Sequence, residues 1–223
     1  MQKQLLIAAG GQGTRLSPDA LPKQFMAAAG RPLLLHSMDA FIAYDPDIRI
    51  VVVLPPKTKD LWQEICHKHG FYTPHVVAEG GPTRFHSVKS GLKHIDGDGL
   101  VAIHDGVRPL VSPSLVQTVF EVARKFGNAV PAILPRDSVR QADHAINKPL
   151  PRDRVRLIQT PQCFDAARIK EAYRVSYDAS FTDDASVLEA QGERIYLVDG
   201  EADNLKVTTG NDLVVADALL CKR

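Results

Sequence analysis

Leu5-Leu6-Ile7-Ala8-Ala9-Gly10-Gly11-Gln12-Gly13-Thr14-Arg15-Leu16 is the stretch whose reading decides the fold. The apolar run Leu5–Ala9 is short and ends in glycines, as a buried strand feeding a loop does. Glycines let a backbone approach a polyphosphate closely and turn its N–H groups toward it. Arg15 adds a guanidinium able to chelate phosphate oxygens. Lys23, stiffened by Pro22 in Leu21-Pro22-Lys23-Gln24, adds a compact positive charge. The loop is not a P-loop, because no Gly-Lys-Ser/Thr follows, and it is not the Gly-x-Gly-x-x-Gly dinucleotide fingerprint. The glycines alone would fit a plain tight turn; Arg15 and Pro22-Lys23 shift the reading toward phosphate binding.

Outward from that strand, apolar runs alternate with amphipathic segments. Arg31–Tyr44 carries Leu34, Leu35, Met38, Phe41 and Ile42 at helical spacing. Ile48–Leu54 is continuous and β-branched, which predicts a central strand stopped by Pro55-Pro56. Helices are predicted over Thr58–His69, with Gly70 past its end, and over Arg84–Ile95. Another, capped by Ser112 or Ser114, runs to Phe126 and Gly127. Strands are predicted at His75–Ala78, Leu100–His104 and Ala129–Leu134. Such alternation predicts an α/β fold with a mostly parallel, Rossmann-like sheet, whose ligands bind beyond the carboxyl ends of the strands. The whole chain, 1–223, reads as a single domain.

Composition supports one domain with an appendage: 223 residues, 44% of them hydrophobic. Lys and Arg number 27 against 26 Asp and Glu, a formal net charge of +1. That balance argues against a general nucleic-acid or membrane-surface binder. Cys66, Cys163 and Cys221 show no metal-ligand spacing, and an odd, sparse count suits a reducing compartment. The first apolar run is too short for a signal peptide or a membrane span, so the expected location is cytoplasmic.

The pattern changes between Pro135 and Pro161. Ser138–Ala142 and Val155–Thr160 read as two strands of a protruding β-arm, with Asn147–Pro151 as its turn. A two-stranded arm cannot bury itself alone, so residues 135–161 are expected to meet a second subunit in a homodimer. Helices over Asp165–Tyr177, Asp183–Gln191 and Asn211–Leu220 and a strand over Arg194–Val198 are predicted after it. Asp183 and Asp184 read as N-cap and first-turn residues. His36, His86 and His104 have no metal spacing and read as structural.

Further motifs occur in a fixed order: Glu79-Gly80-Gly81-Pro82-Thr83-Arg84-Phe85-His86-Ser87, His104-Asp105-Gly106-Val107-Arg108-Pro109, Thr160-Pro161-Gln162, Thr182-Asp183-Asp184-Ala185-Ser186 and Asp203-Asn204-Leu205-Lys206-Val207-Thr208. With Gly-Gly-x-Gly-Thr-Arg-Leu and Pro-Lys, they resemble the 2-C-methyl-D-erythritol 4-phosphate cytidylyltransferase family of polyol-phosphate cytidylyltransferases. The resemblance runs from Leu5 to about Leu220. It implies a glycosyltransferase-like nucleotidyltransferase fold and transfer of a cytidylyl group from CTP to a polyol phosphate in non-mevalonate isoprenoid synthesis. Departures are Ser138, where threonine is common, and Gly106-Val107, where many members have Ala-Ala.

In such a reaction the nucleophile is already a phosphate anion. Catalysis is then positioning plus charge neutralisation. Arg15, Lys23 and Lys206 are the expected catalytic residues. Ala9, Gly10, Gly11, Gly13, Gly81 and Ser87 are expected to hold the nucleotide, the last two at the base. The resemblance places Arg152 and Thr160 near the polyol phosphate, Arg152 reaching across the dimer. Asp105, Arg108 and Ser138 are further substrate candidates, and Arg154 and Arg156 compete with Arg152. Mg²⁺ or another divalent cation should bridge phosphates, with Asp105 and then Asp203 as carboxylate candidates. A ribitol-5-phosphate cytidylyltransferase would share nearly every motif. A non-catalytic nucleotide-binding regulator is the alternative of another class, and Arg15, Lys23, Asp105 and Lys206 occurring together speak against it.

Overall fold

The computed structural model describes residues 1–11, 21–143 and 146–223. Gly13 and Arg15 lie outside the described residues. The opening apolar run forms β1 (Lys3–Ala8). Two short strands, β2 (Ala27–Ala28) and β3 (Arg31–Pro32), pair as a small antiparallel ribbon that leads into α1 (Leu33–Tyr44). Pro32 takes the start of that predicted helix, as an extended residue before it. The β-branched run becomes β4 (Arg49–Leu54), and after it come α2 (Lys59–Lys68), β5 (Val76–Glu79), α3 (Arg84–Leu92) and β6 (Leu100–Asp105). Helix α4 (Pro113–Phe126) is capped by Ser112, whose hydroxyl accepts the Leu115 N–H. It ends at Gly127 with φ of 90°, a left-handed turn that glycine adopts without steric cost.

β7 (Asn128–Ile133) follows, then a hairpin of β8 (Val139–Asp143) and β9 (Ile146–Leu150), then β10 (Leu157–Ile158), β11 (Gln162–Asp165), α5 (Ala166–Ala172), α6 (Asp184–Glu189), β12 (Leu197–Asp199) and α7 (Gly210–Leu220). The main sheet runs β10-β7-β11-β6-β1-β4-β5, with β12 also pairing with β7. β1 is parallel to both β4 and β6, and β4 is parallel to β5. The chain therefore builds outward from β1 to β5 and returns to lay β6 on β1's other side. That reversal opens a crevice above the carboxyl ends of β1 and β6.

Alternation along the strands makes two cores. Leu5, Ile7, Ile50 and Val52 pack with Met38, Phe41, Trp62, Val116 and Phe120 from α1, α2 and α4. Leu6, Val51, Val53, Val101 and Ile103 pack with Phe85, Val88, Ile169 and Leu188 from α3, α5 and α6. Successive strand side chains point to opposite faces, and both faces are covered, so the strands read as unbroken apolar runs. Among the described residues no helix is long and apolar enough to cross a membrane.

Two expectations need correction. The arm exists as a hairpin, but its second strand is β9, paired Val139↔Leu150 to Asp143↔Ile146. Asn147–Pro151 is therefore mostly strand rather than turn. Val155–Thr160 does not belong to the arm: Leu157 and Ile158 join the main sheet beside β7. Pro149 misled the reading, because proline interrupts a central strand yet is tolerated on an edge, and a two-stranded ribbon has only edges. The second correction is β11, an antiparallel strand inserted between β6 and β7 where no strand was expected.

Candidate active site

A cleft of about 720 Å³ opens at the predicted crevice. It is lined by Ala8 to Gly11 after β1, Gly80 to Arg84 and Ser87 around the start of α3, Asp105 at the end of β6, Lys23, and Lys206 to Thr208. The two glycine turns meet there. A Cβ on Gly10 would lie 2.7 Å from Ser87 Oγ, and one on Gly80 only 3.0 Å from Gly10 Cα. Ser87, buried, accepts the Gly81 N–H through Oγ at 3.1 Å. Its hydroxyl thus braces the turn. Gln24, also buried, holds the other loop by donating Nε2 to the Ala9 carbonyl at 2.8 Å. Its neighbour Lys23 had drawn attention, and Gln24's own part was missed.

The opposite end of the cleft is built on Asp105. Its Oδ1 accepts Arg84 Nε at 3.1 Å, and its Oδ2 accepts Lys206 Nζ at 2.8 Å, with Arg108 Nε 3.8 Å away. Burial alone would raise the Asp105 pKa, but Arg84, Lys206 and Arg108 outweigh it and hold the carboxyl well below the usual range. Asp105 is therefore an anion and no reservoir of protons. Arg84 also forks onto Asp184, Nη1 and Nη2 donating at 2.8 and 2.6 Å, and the buried Tyr173 hydroxyl donates to Asp184 Oδ1 at 2.6 Å. Burial opposes the Arg84 charge, yet Asp184 and Asp105 keep it firmly protonated. Losing one partner of such a buried pair costs about 3–5 kcal/mol. Neither Arg84 nor Asp184 had been assigned to the site.

Lys23 Nζ donates to the Thr208 carbonyl, which places it on the Lys206–Thr208 segment. That segment is fixed by α7. Asp212 accepts the Thr208 and Thr209 N–H groups and the Thr208 hydroxyl on one oxygen, and these bonds lower its pKa to about 2. Among the described residues, Lys23, Arg84, Arg108 and Lys206 stand around the cleft with two carboxylates, Asp105 and Asp184, a surplus of two positive charges.

The other expected residues divide. Ala9, Gly10, Gly11, Gly81, Ser87, Lys23, Asp105 and Lys206 come together at the cleft. Arg108 is mostly buried and donates Nη1 to the Asn204 carbonyl at 2.7 Å, so it buttresses the loop that carries Lys206. Thr160 is buried behind Asp105, and its hydroxyl accepts the Asp105 N–H at 3.0 Å and meets His104 Nδ1 at 3.1 Å. Ser138 and Arg152 are exposed on the arm side, with Arg152 Nη1 on the Arg136 carbonyl. Asp203 is exposed and outside the cleft lining. Asp183 caps α6 with a full capping box, as its position suggested.

His104 yields a pH prediction. Its Nε2 faces the Arg108 carbonyl, so that nitrogen carries the proton and Nδ1 accepts from Thr160. Burial lowers its pKa from 6.5 to about 4. Between those values the unfolded chain binds the proton and the folded one does not. Stability is therefore expected to fall as pH drops from 6.5 to 4, by up to about 3 kcal/mol. Urea unfolding across that range measures the loss. An imidazole signal for His104 that protonates near 6.5 in the folded protein would contradict it.

A mostly parallel sheet with glycine turns, lysines and one anchored carboxylate at its switch point is the arrangement of a nucleotide-binding α/β protein. The model of the 2-C-methyl-D-erythritol 4-phosphate cytidylyltransferase (IspD) family matches residues 4–222, and the chain belongs to that family. The 2-C-methyl-D-erythritol 4-phosphate cytidylyltransferase of Bacteroides fragilis is 44% identical over 220 residues, covering 99% of this chain and all of that protein. The Halalkalibacterium halodurans enzyme of the same name is 34% identical over 226 residues, covering 100% and 99%. The crystal structure of the Thermus thermophilus enzyme superposes with a TM-score of 0.79 at 35% identity, over 98% of both chains. That of the 4-diphosphocytidyl-2C-methyl-D-erythritol synthase from Anaerococcus prevotii superposes with 0.83 at 29% identity, over 100% and 99%.

Proposed function

We propose that this cleft transfers a cytidylyl group from CTP to 2-C-methyl-D-erythritol 4-phosphate, giving 4-diphosphocytidyl-2-C-methyl-D-erythritol and pyrophosphate. The carrying observation is the convergence of Arg84 and Lys206 on Asp105, with Lys23 lining the same cleft beside the Gly10–Gly80 contact. Family membership supplies the base and the acceptor. An oxygen of the acceptor phosphate forms a bond to the α-phosphorus as the bond to the pyrophosphate oxygen breaks. The nucleophile enters as an anion, so no group has to remove a proton. Arg15, Lys23 and Lys206 neutralise charge on the α-phosphate and on the leaving pyrophosphate. Backbone groups of Ala9, Gly10 and Gly11 approach the triphosphate, and the Gly81–Ser87 turn faces the base.

A divalent cation fits the donor set in one manner. Among the described residues no three His, Cys, Asp or Glu side chains converge, and Asp105 is the one carboxylate lining the cleft. Such a site suits Mg²⁺ carried on the nucleotide's phosphates and its own waters, with Asp105, whose two oxygens already hold Arg84 and Lys206, meeting it through a water and not as a direct ligand. When bound, the ion supplies charge neutralisation on the phosphates. Asp203 lies outside the cleft lining and adds nothing to this set.

The acceptor's phosphate is proposed to meet Arg152, with Ser138 nearby, from the arm of a second subunit. Residues 135–161 hold five arginines and one lysine against three aspartates. Leu134, Leu157, Ile158 and Leu197 are exposed near the arm, with Ile146 on it, an apolar surface suited to a partner. Three unpaired cysteines support a cytoplasmic location. Pyrophosphate release with CTP, Mg²⁺ and either methylerythritol phosphate or ribitol 5-phosphate tests the reading. Release with the first acceptor and little with the second is expected. CTP binding with no release from either would overturn it.

A further inference from the structure

Asp184 lies outside the cleft, fully buried at the first turn of α6, yet it is joined to the cleft by a single side chain. Arg84 has both terminal nitrogens on Asp184 and only Nε on Asp105. A guanidinium left alone beside a carboxylate prefers the two-bond fork, which is the stronger arrangement. Here that fork is already taken. Tyr173 holds the Asp184 carboxylate from the other side, and Tyr173 stacks on Phe85, the residue after Arg84, with ring centroids 4.8 Å apart. The frame beneath is equally fixed: Gln162 of β11 donates to Asp183 Oδ2 and accepts the Ala185 N–H, pinning the start of α6 on both sides of Asp184.

We propose that Asp184 is a positioning residue for the transfer reaction: by occupying the Arg84 fork it confines Arg84 to one oxygen of Asp105 and leaves the other to Lys206. Lys206 is bound at that second oxygen, at 2.8 Å, and its side chain is 42% exposed, so it can reach from Asp105 toward a phosphate in the cleft. Without the Asp184 charge, Arg84 turns its fork onto Asp105. Both carboxylate oxygens are then engaged by guanidinium, and Lys206 loses the anchor that aims it. Arg84 is also the first residue of α3, the helix that carries Ser87, so one buried carboxylate sets the phosphate end while the Gly81–Ser87 turn stays in place.

The inference rests on the cleft being the site of cytidylyl transfer. Asp184→Asn keeps the side chain's size and removes its charge. The expected result is a kcat lowered by roughly tenfold or more, with the CTP KM changed by less than about threefold, because the lost interaction orients charge for the reacting phosphates and not the base. A crystal structure of that variant should show Arg84 with two bonds to Asp105 and Lys206 displaced. An unchanged kcat, or an Arg84 still held on residue 184 with Lys206 in place, would overturn the proposal. Tyr173→Phe decides if Asp184→Asn does not fold: it loosens the carboxylate without touching its charge, and should give a smaller kcat loss in the same direction, while wild-type kcat would overturn the proposal. A wild-type protein inactive with every acceptor would instead overturn the transfer reading, and the Arg84 geometry in the variant would still be read separately.

Discussion

Lys23→Ala is expected to lower kcat by about a hundred- to a thousandfold, the range seen when one donor to a developing oxyanion is removed. The CTP KM should rise by no more than about tenfold. The asymmetry follows from where charge moves. On the proposed reading several groups share neutralisation of the triphosphate in the ground state, so one lysine adds a modest share. As the bond to pyrophosphate breaks, negative charge accumulates on the leaving oxygen, and a fixed ammonium next to it gains most at that moment. The structure shows why this lysine is fixed. Pro22 precedes it, Gln24 is buried against the Ala9 carbonyl, and its own Nζ donates to the carbonyl of Thr208, a residue whose N–H and hydroxyl Asp212 accepts. Steady-state kinetics with CTP varied measures both constants. An unchanged kcat with a raised CTP KM would make Lys23 a ground-state binder only.

The parts of this site that were legible in the sequence are those where function and local pattern coincide. A strand that runs into glycines, a lysine behind a proline and an aspartate at a strand end are all visible within a few residues. β1, β4 and β6 could be read because both of their faces are buried, which makes each an unbroken apolar run. The rest depended on distance. Arg84 and Asp184 are 100 positions apart, and nothing in the local spacing of either announces the fork between them. Asp184 looked like a first-turn acid, which it also is. Gln24 passes for a surface residue until the loop folds over it. Thr160, expected near the polyol phosphate, is buried behind Asp105, and its hydroxyl fixes the Asp105 backbone and the neutral His104, contacts that local spacing does not announce. β11 was missed for a similar reason: four residues of mixed polarity make a strand only because β6 and β7 both offer them backbone partners.

Arg152→Ala is expected to leave a chain nearly inactive by itself, through loss of a charge-assisted bond to the acceptor phosphate worth about 1.5–3 kcal/mol and of the orientation it provides. The arginine does not line the cleft of its own subunit. It is exposed and rests on the Arg136 carbonyl at the foot of a hairpin that buries almost none of its own side chains. Under the proposed function, such an arm meets the acceptor phosphate of a second subunit. Mixing Arg152→Ala chains with Lys23→Ala chains, with subunit exchange, should therefore restore activity. In each mixed dimer one site collects both defects and the other receives an intact arm and an intact Lys23, so a mixed dimer should approach about half the activity of a wild-type dimer if the two sites act independently. Sedimentation of the wild-type chain should give a dimer at the assay concentration. A wild-type monomer, or a mixture that exchanges subunits and stays as inactive as its parents, would place Arg152 in its own subunit's chemistry or in none, and the positive charge of the arm would then need another anion to explain it.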